Sequence, residues 1–287
     1  MKILENEPMK NHTTFKVGGP ADFFVTPADA DELISVLKSC RDGGLPYFIL
    51  GNGSNLLVGD DGIRGTVISL KDLCSIQLVG NDLIYAQAGC LLSTISKFAC
   101  EHSLSGMEFA EGIPGSLGGG IIMNAGAYGD EVKDAFHSAQ VIDKDSRLLE
   151  IDLASMDFSY RTSAAQINGY IICGATLRLA KGNQTDIAVK MADYRHRRTD
   201  KQPLNLPSAG STFKRPPGHF AGKLIMDAGL AGFSIGGAQV SKKHCGFIVN
   251  TGNATAADIL ALISHVQRIV NEKFDVMLEV EVKIIGE

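Results

Sequence analysis

The sequence lacks the features that mark several specialised classes of protein. No apolar run approaches the ~20 residues that a bilayer-spanning helix needs, and residues 1–7 have no apolar core, so we expect neither membrane anchor nor signal peptide. The six cysteines form no C-x-x-C pair and the seven histidines are dispersed, which disfavours a disulfide framework or a metal site. A net charge of -5 without a basic stripe disfavours nucleic acid as a partner.

The hydrophobic pattern predicts a mixed chain of helices and strands. With 287 residues, 45% of them hydrophobic, the chain can form two or three domains with their own cores. The predicted helices are residues 28–42, 91–100, 184–196, 221–228 and one that starts at 255. The predicted strands are residues 46–50, 65–70, 83–88, 139–143, 148–153, 170–179, 246–250 and 275–285. This order is typical of an α+β fold with a largely antiparallel sheet.

For several segments the pattern also predicts which residues are buried or which segment is a loop. The helix at 28–42 is expected to bury Leu33, Val36, Leu37 and Cys40, and the helix at 91–100 to bury Leu91, Leu92, Ile95 and Ala99. The alternation from residue 275 puts Val276, Leu278, Val280, Val282 and Ile284 on one face. Residues 199–217 hold four prolines and are predicted to be a loop, and the basic residues 195–198 are interpreted as a solvated helix end.

The glycines are concentrated in one segment. Residues 111–129, here called the long cradle, contain seven glycines in 19 positions and little charge. Glycine loses conformational entropy wherever it is fixed, so such a density indicates that a bulky anionic ligand lies against bare backbone. Residues 50–58, the short cradle, have the same character. Two cradles suit a long ligand such as a dinucleotide.

Neither cradle matches a common nucleotide-binding motif. Gly51 and Gly53 lack the third glycine of the Rossmann pattern, and no Gly-Lys-Ser/Thr follows either segment. The alternative is a pair of tight turns packed against neighbouring backbone.

Seven motifs in order resemble the UDP-N-acetylenolpyruvoylglucosamine reductase family, from about residue 11 to the C-terminus. The family's members are flavoenzymes of bacterial cell-wall synthesis. The motifs lie at residues 11–21, 50–56, 111–119, 124–129, 160–161, 209–214 and 236–241. The resemblance implies a two-lobed FAD-binding domain of the vanillyl-alcohol-oxidase type, residues 1–71 and 72–198, and a smaller α+β substrate-binding domain, residues 199–287.

The same resemblance implies FAD as cofactor and NADPH as co-substrate. No histidine lies in either cradle, so we expect FAD to be bound noncovalently. The implied cofactor-binding residues are Gly51, Asn52, Gly53, Ser54, Asn55, Pro114, Gly115, Ser116, Gly118, Gly119, Asn124, Gly126, Ala127 and, less directly, Arg215.

Three residues match the catalytic positions of the family. The implied reaction adds hydride to the vinyl group of an enolpyruvyl ether, which requires an acid for carbon and cationic or donor groups at the carboxylate. Ser211 is the implied proton donor, Arg161 pairs with the carboxylate, and Glu281 helps to stabilise the enol. The alternatives are a turn serine, a surface arginine at a strand start and a solvated strand carboxylate. Glu279, two residues before Glu281, shares its strand face.

The remaining implied contacts concern the substrate. Lys201 matches a diphosphate-binding lysine, and Lys214 and Gln239 are weaker candidates for substrate or nicotinamide contacts. The chain has no room for the tyrosine-bearing insertion of the longer family form between Tyr194 and Ser211. Arg215 replaces the asparagine of that form, and it is expected to reach flavin or phosphate instead.

Two other functions remain open from the sequence. One is an FAD oxidase of the same fold that acts on a hydroxy acid or sugar, and the other is a flavin or nucleotide-sugar binding protein without turnover. For the reductase we expect small-molecule partners, no nucleic acid, membrane or obligate protein partner, and a cytoplasmic location.

Overall fold

The computed structural model describes residues 1–286, and the chain divides into two compact units. The first unit comprises residues 1–4, 24–52 and 66–198, and the second comprises residues 5–23, 53–65 and those from 199 onward. The predicted first lobe, residues 1–71, is therefore divided between the units, because residues 5–23 and 53–65 pack with the C-terminal part of the chain.

The elements follow the predicted alternation of strands and helices. The strands are β1 (Lys2–Pro8), β2 (Pro20–Thr26), β3 (Tyr47–Leu50), β4 (Leu56–Val58), β5 (Ile63–Ser69), β6 (Ile76–Leu78), β7 (Leu83–Gln87), β8 (Leu104–Ser105), β9 (Gly126–Ala127), β10 (Asp130–Glu131), β11 (Phe136–Ile142), β12 (Leu148–Asp152), β13 (Ile171–Arg178), β14 (Ala180–Lys181), β15 (Ser234–Ile235), β16 (Ala238–Val240), β17 (Ile248–Asn250) and β18 (Lys283–Ile285). The helices are α1 (Ala30–Asp42), α2 (Leu92–Glu101), α3 (Leu117–Ile122), α4 (Val132–Ala135), α5 (Leu153–Met156), α6 (Ala164–Asn168), α7 (Gln184–Lys201), α8 (Ala221–Asp227) and α9 (Ala256–Phe274), with 3₁₀ turns at Met9–Asn11 and Glu108–Gly112.

The core of the first unit is built on an antiparallel sheet in the order β12-β11-β13-β7-β6. Its central strand β13 pairs Ala175 with Ala139 on one side and with Ala86 on the other, and all three are buried. Small side chains at these positions leave room for the helices that cover the sheet. The largely antiparallel sheet predicted from the strand pattern is confirmed.

The helix faces of the first unit follow the predicted spacing with one exception. Helix α1 is capped by the Asp29 carboxylate and buries the four residues expected at 33, 36, 37 and 40. Helix α2 buries Leu92, Ile95 and Ala99, but Leu91 is 39% exposed. The prediction for Leu91 is wrong because this residue is the N-cap, where extended backbone turns the side chain away from the helix face.

The second unit packs a small sheet, β15-β16-β17, on helix α9. Thr255 and Asp258 form a capping box at the start of α9, and Asp60 accepts hydrogen bonds from the N–H groups of Ala256 and Ala257. The Asp258 carboxylate also accepts from the Gly237 N–H. The glycine pair at 236–237 therefore packs against the capping residue Asp258 at the start of α9.

The C-terminal strand predicted over residues 275–285 is wrong in extent. Asp275 ends α9 in a left-handed conformation, Val280 forms a single bridge with Phe213, and only β18 is a regular strand. Val276 and Val280 are partly buried against the core of this unit, whereas Ile284, on β18 where it pairs in parallel with β4, is 48% exposed. Leu278 and Val282 are buried as expected.

Helix α7 is longer than predicted. It continues through residues 199–201 before the proline-containing loop begins, because Pro203 is the first residue that disfavours helix. In the part of the chain that the structure describes, no helix combines the length and apolarity needed to cross a bilayer, and no group of three or more His, Cys, Asp or Glu side chains could hold a metal.

Candidate active site

The short cradle meets the long cradle within the first unit. The Asn52 side chain donates a hydrogen bond to the Pro114 carbonyl, and a Cβ at Gly51 would lie 2.5 Å from the Ser116 Oγ. Any side chain at position 51 would therefore displace Ser116. The two segments that the sequence assigned to one ligand are thus neighbours at Gly51, Asn52, Pro114 and Ser116.

Gly53 is required by the packing of the second unit. Its φ is +60°, and a Cβ there would lie 2.1 Å from the His12 carbonyl oxygen. The Thr14 N–H donates to the Gly53 carbonyl at 3.1 Å. At this position the alternative interpretation, a turn packed on neighbouring backbone, describes what the structure shows.

Ser54 and Asn55 follow Gly53 in the part of the short cradle that belongs to the second unit. Asn55 is bonded to the C-terminal segment twice, since its Nδ2 donates to the Glu281 carbonyl at 3.2 Å and its own carbonyl accepts from the Lys283 N–H at 3.0 Å. The end of the short cradle thereby fixes the backbone on which Glu281 lies.

Two polar groups of the long cradle have no hydrogen-bond partner in the described chain. Ser116 is the N-cap of α3 and is 2% exposed, but its hydroxyl has no hydrogen-bond partner within residues 1–286. The N–H groups of Leu117 and Gly118 donate to the carbonyls of Cys90 and Ala88. The Gly119 N–H has no such acceptor in the described chain, and Gly119 is exposed.

The glycines of α3 face in two directions. A Cβ at Gly118 would lie 3.1 Å from the Ala88 Cβ, and one at Gly120 would lie 3.0 Å from a Leu92 methyl, so both positions are needed for packing. A Cβ at Gly119 would meet only the Ser116 hydroxyl, at 3.6 Å. In this turn the Gly119 N–H and the buried Ser116 hydroxyl are therefore the groups without a hydrogen-bond partner in the described chain.

Asn124 organises the end of the long cradle. It is fully buried with φ +41°, and its Nδ2 donates to the Glu131 carboxylate at 2.9 Å and to the Ser159 carbonyl at 3.2 Å. Its Oδ1 accepts from the Lys133 N–H. The amide is thus occupied by protein groups, and it supports the hairpin β9–β10 that contains Gly126 and Ala127.

Arg161 lies in a tight turn of the first unit. Ser159 and Thr162 exchange backbone hydrogen bonds of 3.1 and 3.2 Å, so Tyr160 and Arg161 form the tip. Arg161 has φ +57°, a conformation that costs a residue with a side chain about 1–2 kcal/mol. Its guanidinium lies 5.3 Å from the Tyr160 ring centroid. A strained, partly buried arginine at a turn tip differs from the strand start considered from the sequence.

The structure ties the Arg161 turn to the long cradle. Asn124 bonds the Ser159 carbonyl on one side of the turn, and the Ser163 hydroxyl donates to the Ile122 carbonyl on the other. Arg161 is therefore held by the same segment that contains the predicted cofactor-binding residues.

The segments that contain Ser211 and Glu281 pair through their backbones in the second unit. The Glu281 N–H donates to the Thr212 carbonyl at 2.8 Å, and Phe213 and Val280 form an antiparallel bridge. Ser211 is exposed and Glu281 is partly buried. The two predicted catalytic residues of this unit are thus on paired backbone segments.

Thr212 is a site residue to which sequence reasoning gave no role. It is fully buried, its N–H donates to the Gly246 carbonyl at 2.8 Å, and its hydroxyl accepts from the Ile248 N–H. These bonds fix the segment that presents Ser211. The signal available in the sequence was a polar residue between Ser211 and the apolar Phe213.

Glu279 and Glu281 differ in the groups that they contact. Glu279 forms an ion pair with Lys214, whereas Glu281 is bonded through its backbone to both Thr212 and Asn55. The Lys214 ammonium is accordingly engaged by a carboxylate.

The other predicted ligand contacts of the second unit are spread over several loops. The Arg215 guanidinium lies 4.1 Å from the Phe220 ring centroid, and both side chains are exposed. Gln239 on β16 donates to the Ser234 hydroxyl, and Lys201 is an exposed residue at the end of α7. Lys201 and Arg215 are exposed, and Gln239 is partly exposed.

The titratable groups give no sign of nucleophilic catalysis. Burial raises the pKa of the Cys90 and Cys173 thiols to about 11, so both stay protonated at neutral pH. Burial also lowers the pKa of His244, which keeps this imidazole neutral while its Nδ1 accepts the Gly246 N–H.

The residues of the first unit fit a bound dinucleotide. A buried hydroxyl without a partner, next to an unbonded N–H on an exposed glycine, offers two donors to an oxyanion such as the FAD pyrophosphate.

Family comparisons agree with this assignment. A family model described as an FAD binding domain matches residues 21–152, and one described as the C-terminal domain of UDP-N-acetylenolpyruvoylglucosamine reductase matches residues 202–285. Together they define a flavin-dependent oxidoreductase with a separate C-terminal domain, and FAD is its cofactor.

Whole-chain relatives give the family. The UDP-N-acetylenolpyruvoylglucosamine reductase of Caldanaerobacter subterraneus subsp. tengcongensis is 53% identical over 286 residues, which span all of this chain and 94% of that protein. The protein of the same name from Lachnoclostridium phytofermentans is 52% identical over 290 residues, with the same coverage. The crystal structure of the reductase from Thermus caldophilus matches with a TM-score of 0.84 and 35% identity, covering 99% of this chain and 98% of that one. This chain belongs to the UDP-N-acetylenolpyruvoylglucosamine reductase family.

Proposed function

We propose that the chain is an NADPH-dependent flavoenzyme that reduces UDP-N-acetylglucosamine enolpyruvyl ether to UDP-N-acetylmuramate. The product is a precursor of peptidoglycan. Family membership over the whole chain supports the reaction class. The observation that supports the proposal most is the backbone pairing of Thr212 with Glu281, which joins the segment that contains the exposed Ser211 to the segment that contains Glu281. This reaction needs both a proton donor and a group that stabilises an enol.

The cofactor is assigned to the two cradles. Bound FAD supplies the chemistry of accepting hydride from NADPH and returning it to the terminal vinyl carbon of the substrate. In the first unit we assign it to Gly51, Asn52, Pro114, Gly115, Ser116, Gly118, Gly119, Asn124, Gly126 and Ala127, of which Gly118 and Asn124 act through packing and hydrogen bonding of the cradle. In the second unit we assign it to Gly53, Ser54, Asn55 and Arg215, with Gly53 acting through the turn that it makes possible.

Ser211 is assigned the proton transfer to carbon. Hydride addition to the vinyl terminus leaves negative charge on the adjacent carbon, which is conjugated with the carboxylate. The Ser211 hydroxyl gives its proton to that carbon, and the resulting alkoxide is reprotonated from solvent. A serine hydroxyl is a weak acid, so its position must be fixed, and the bonds of Thr212 to Gly246 and Ile248 provide this.

Arg161 and Glu281 are assigned to the carboxylate of the intermediate. A guanidinium is always charged and presents a planar pair of donors that matches a carboxylate. The cost of holding Arg161 at positive φ is consistent with a role in ligand binding. Glu281 stabilises the enol form through a hydrogen bond, for which its backbone is fixed by Thr212 and Asn55.

The nucleotide part of the substrate is assigned to residues of the second unit. Lys201 binds the diphosphate, and Gln239 and Lys214 contact substrate or nicotinamide. Binding by Lys214 requires release or sharing of its ion pair with Glu279.

We expect Asn124 to support catalysis indirectly, because its side chain holds the turn that carries Arg161. Asn124→Asp keeps the oxygen that accepts from Lys133 but puts an oxygen in place of the donor facing Glu131 and the Ser159 carbonyl. Loss of a buried donor costs about 1–3 kcal/mol of stability. We expect flavin oxidation by substrate to slow by roughly tenfold, the equivalent of about 1.4 kcal/mol, in stopped-flow absorbance. Asn168→Asp, at an exposed helix end, is the control. Unchanged flavin oxidation in Asn124→Asp contradicts this role.

The proposed activity is tested by product analysis. The purified protein should release FAD in denaturing acid, and with NADPH it should convert the enolpyruvyl ether into a product heavier by two hydrogen atoms. Flavin that stays attached to the chain in acid contradicts noncovalent binding. A substrate mass that stays unchanged under these conditions contradicts the reductase.

A further inference from the structure

The Arg198 side chain lies against the long cradle in the first unit. Arg198 is in the last turns of α7, and a Cβ at Gly112 would lie 2.5 Å from its Cδ and 3.4 Å from its Nε. The φ of Gly112 is not in the left-handed region, so space rather than backbone conformation requires glycine at this position. Gly112 therefore admits the Arg198 side chain to the cradle.

The charge of Arg198 is not balanced by the protein. Arg195 pairs with the buried Glu111, and Arg197 pairs with Asp193 at 2.7 Å. Within residues 1–286, the Arg198 guanidinium makes neither a salt bridge nor a hydrogen bond. The sequence-based interpretation of residues 195–198 as a solvated helix end is thus wrong for Arg198, because this side chain turns inward against Gly112.

A partly buried guanidinium without a partner is costly. Arginine cannot lose its proton in proteins, so it cannot avoid the cost of desolvation by becoming neutral. Burial lowers the pKa of Arg198, an effect that the nearby Tyr128 opposes. Within residues 1–286 no hydrogen bond joins Arg198 to Tyr128, whose hydroxyl donates to the Tyr194 carbonyl and whose ring stacks on Tyr194.

We infer that Arg198 binds an anionic oxygen group of a nucleotide ligand that lies along the long cradle. The chemistry it recognises is a delocalised anion, provided either by bound FAD or by the diphosphate of the nucleotide substrate. This inference rests on the proposed function, since that function supplies both ligands. A planar guanidinium with its donors unused by the protein is suited to such a group.

Two variants test the inference independently. Arg198→Met removes the charge and keeps most of the side-chain length, and Gly112→Ala displaces the Arg198 stem while keeping the charge. Arg197→Met is the matched control, because Arg197 is adjacent, exposed and already paired with Asp193. A charged hydrogen bond of about 1.5–3 kcal/mol corresponds to roughly a 10- to 100-fold change in affinity.

The measurements distinguish the two sources of the anion. The dissociation constant of FAD is measured from flavin fluorescence with apoprotein, and that of the enolpyruvyl substrate from the change in flavin absorbance on binding. A tenfold or larger loss of FAD affinity in both test variants supports the flavin as ligand. An equal loss of substrate affinity with FAD affinity unchanged supports the diphosphate.

One result overturns the inference. If both affinities stay within twofold of wild type in Arg198→Met, while Arg197→Met behaves the same way, Arg198 has no anionic ligand. Thermal unfolding of the apoprotein checks the fold, and we expect Arg198→Met to be at least as stable as wild type because it removes an unpaired charge. Turnover by the wild-type enzyme tests the proposed function separately from these comparisons.

Discussion

Ser211→Ala is expected to slow the oxidation of reduced flavin by substrate about 10²- to 10⁴-fold, the range that a positioned acid contributes. Flavin reduction by NADPH should keep its wild-type rate, because that step needs no proton at the substrate carbon. The two half-reactions are measured separately by anaerobic stopped-flow absorbance. The split between them identifies the proton donor, because a general disturbance of the site slows both.

The control for this prediction is Ser208→Ala in the same loop. The Ser208 backbone carbonyl accepts the Thr14 hydroxyl, and alanine leaves that bond in place. Ser208→Ala should retain both rates. Equal loss of both half-reactions in Ser211→Ala, or no loss in either, contradicts proton transfer by Ser211. Retained binding of the substrate by Ser211→Ala, measured from the flavin absorbance, excludes a simple loss of affinity.

Arg161→Gly is expected to separate activity from stability. Removal of the guanidinium should lower the rate of flavin oxidation by substrate about 10²- to 10³-fold, as does the loss of one oxyanion-stabilising group. Glycine at the turn tip avoids the left-handed cost of about 1–2 kcal/mol, against about 0.5–1 kcal/mol for its greater freedom in the unfolded chain. Loss of the contact with the Tyr160 ring opposes the remaining gain, so we expect the urea midpoint to stay close to that of wild type.

The matched control for Arg161 is Arg178→Met. Arg178 lies on β13 in the same unit with its side chain 57% exposed, and its pairing with Asp82 at 3.9 Å is weak. Its replacement should leave flavin oxidation unchanged. An Arg161→Gly protein that is less stable and equally active would show that the turn has a structural role, and that the guanidinium does not act on substrate.

Motifs in the sequence pointed to the proposed catalytic residues, but no pattern indicated the contacts that hold those residues in place. Ser211 and Glu281 are 70 residues apart in the sequence, and their neighbourhood depends on the bridge between Phe213 and Val280. No local pattern indicates that bridge. The burial of Thr212 and the bonds of Asn55 to the C-terminal segment likewise arise only when distant segments pair.

The glycines show why composition alone is ambiguous. Gly53 and Gly118 are required by close packing, whereas Gly119 leaves open space and an unbonded N–H. Gly112 is required by an arginine from another element. All four have the same letter in the sequence, and only the tertiary contacts distinguish a packing role from a ligand-facing one.

The spacing of apolar residues predicted the helices better than it predicted the C-terminal strand. The spacing of apolar residues located α1 and α9 well, because each buries one continuous face on its unit's core. Residues 275–285 alternate as a strand does, yet they pair first with Phe213 and then with β4. Alternation of apolar and polar residues indicates extended backbone, but it does not indicate which segment of the chain that backbone pairs with.

The most direct test of the central claim is NADPH oxidation by the FAD-loaded protein under anaerobic conditions, with and without UDP-N-acetylglucosamine enolpyruvyl ether. We expect a single reduction of the flavin without the ether and sustained NADPH oxidation with it, one NADPH for each UDP-N-acetylmuramate formed. Flavin that is reduced by NADPH and then stays reduced in the presence of the ether would contradict the reductase.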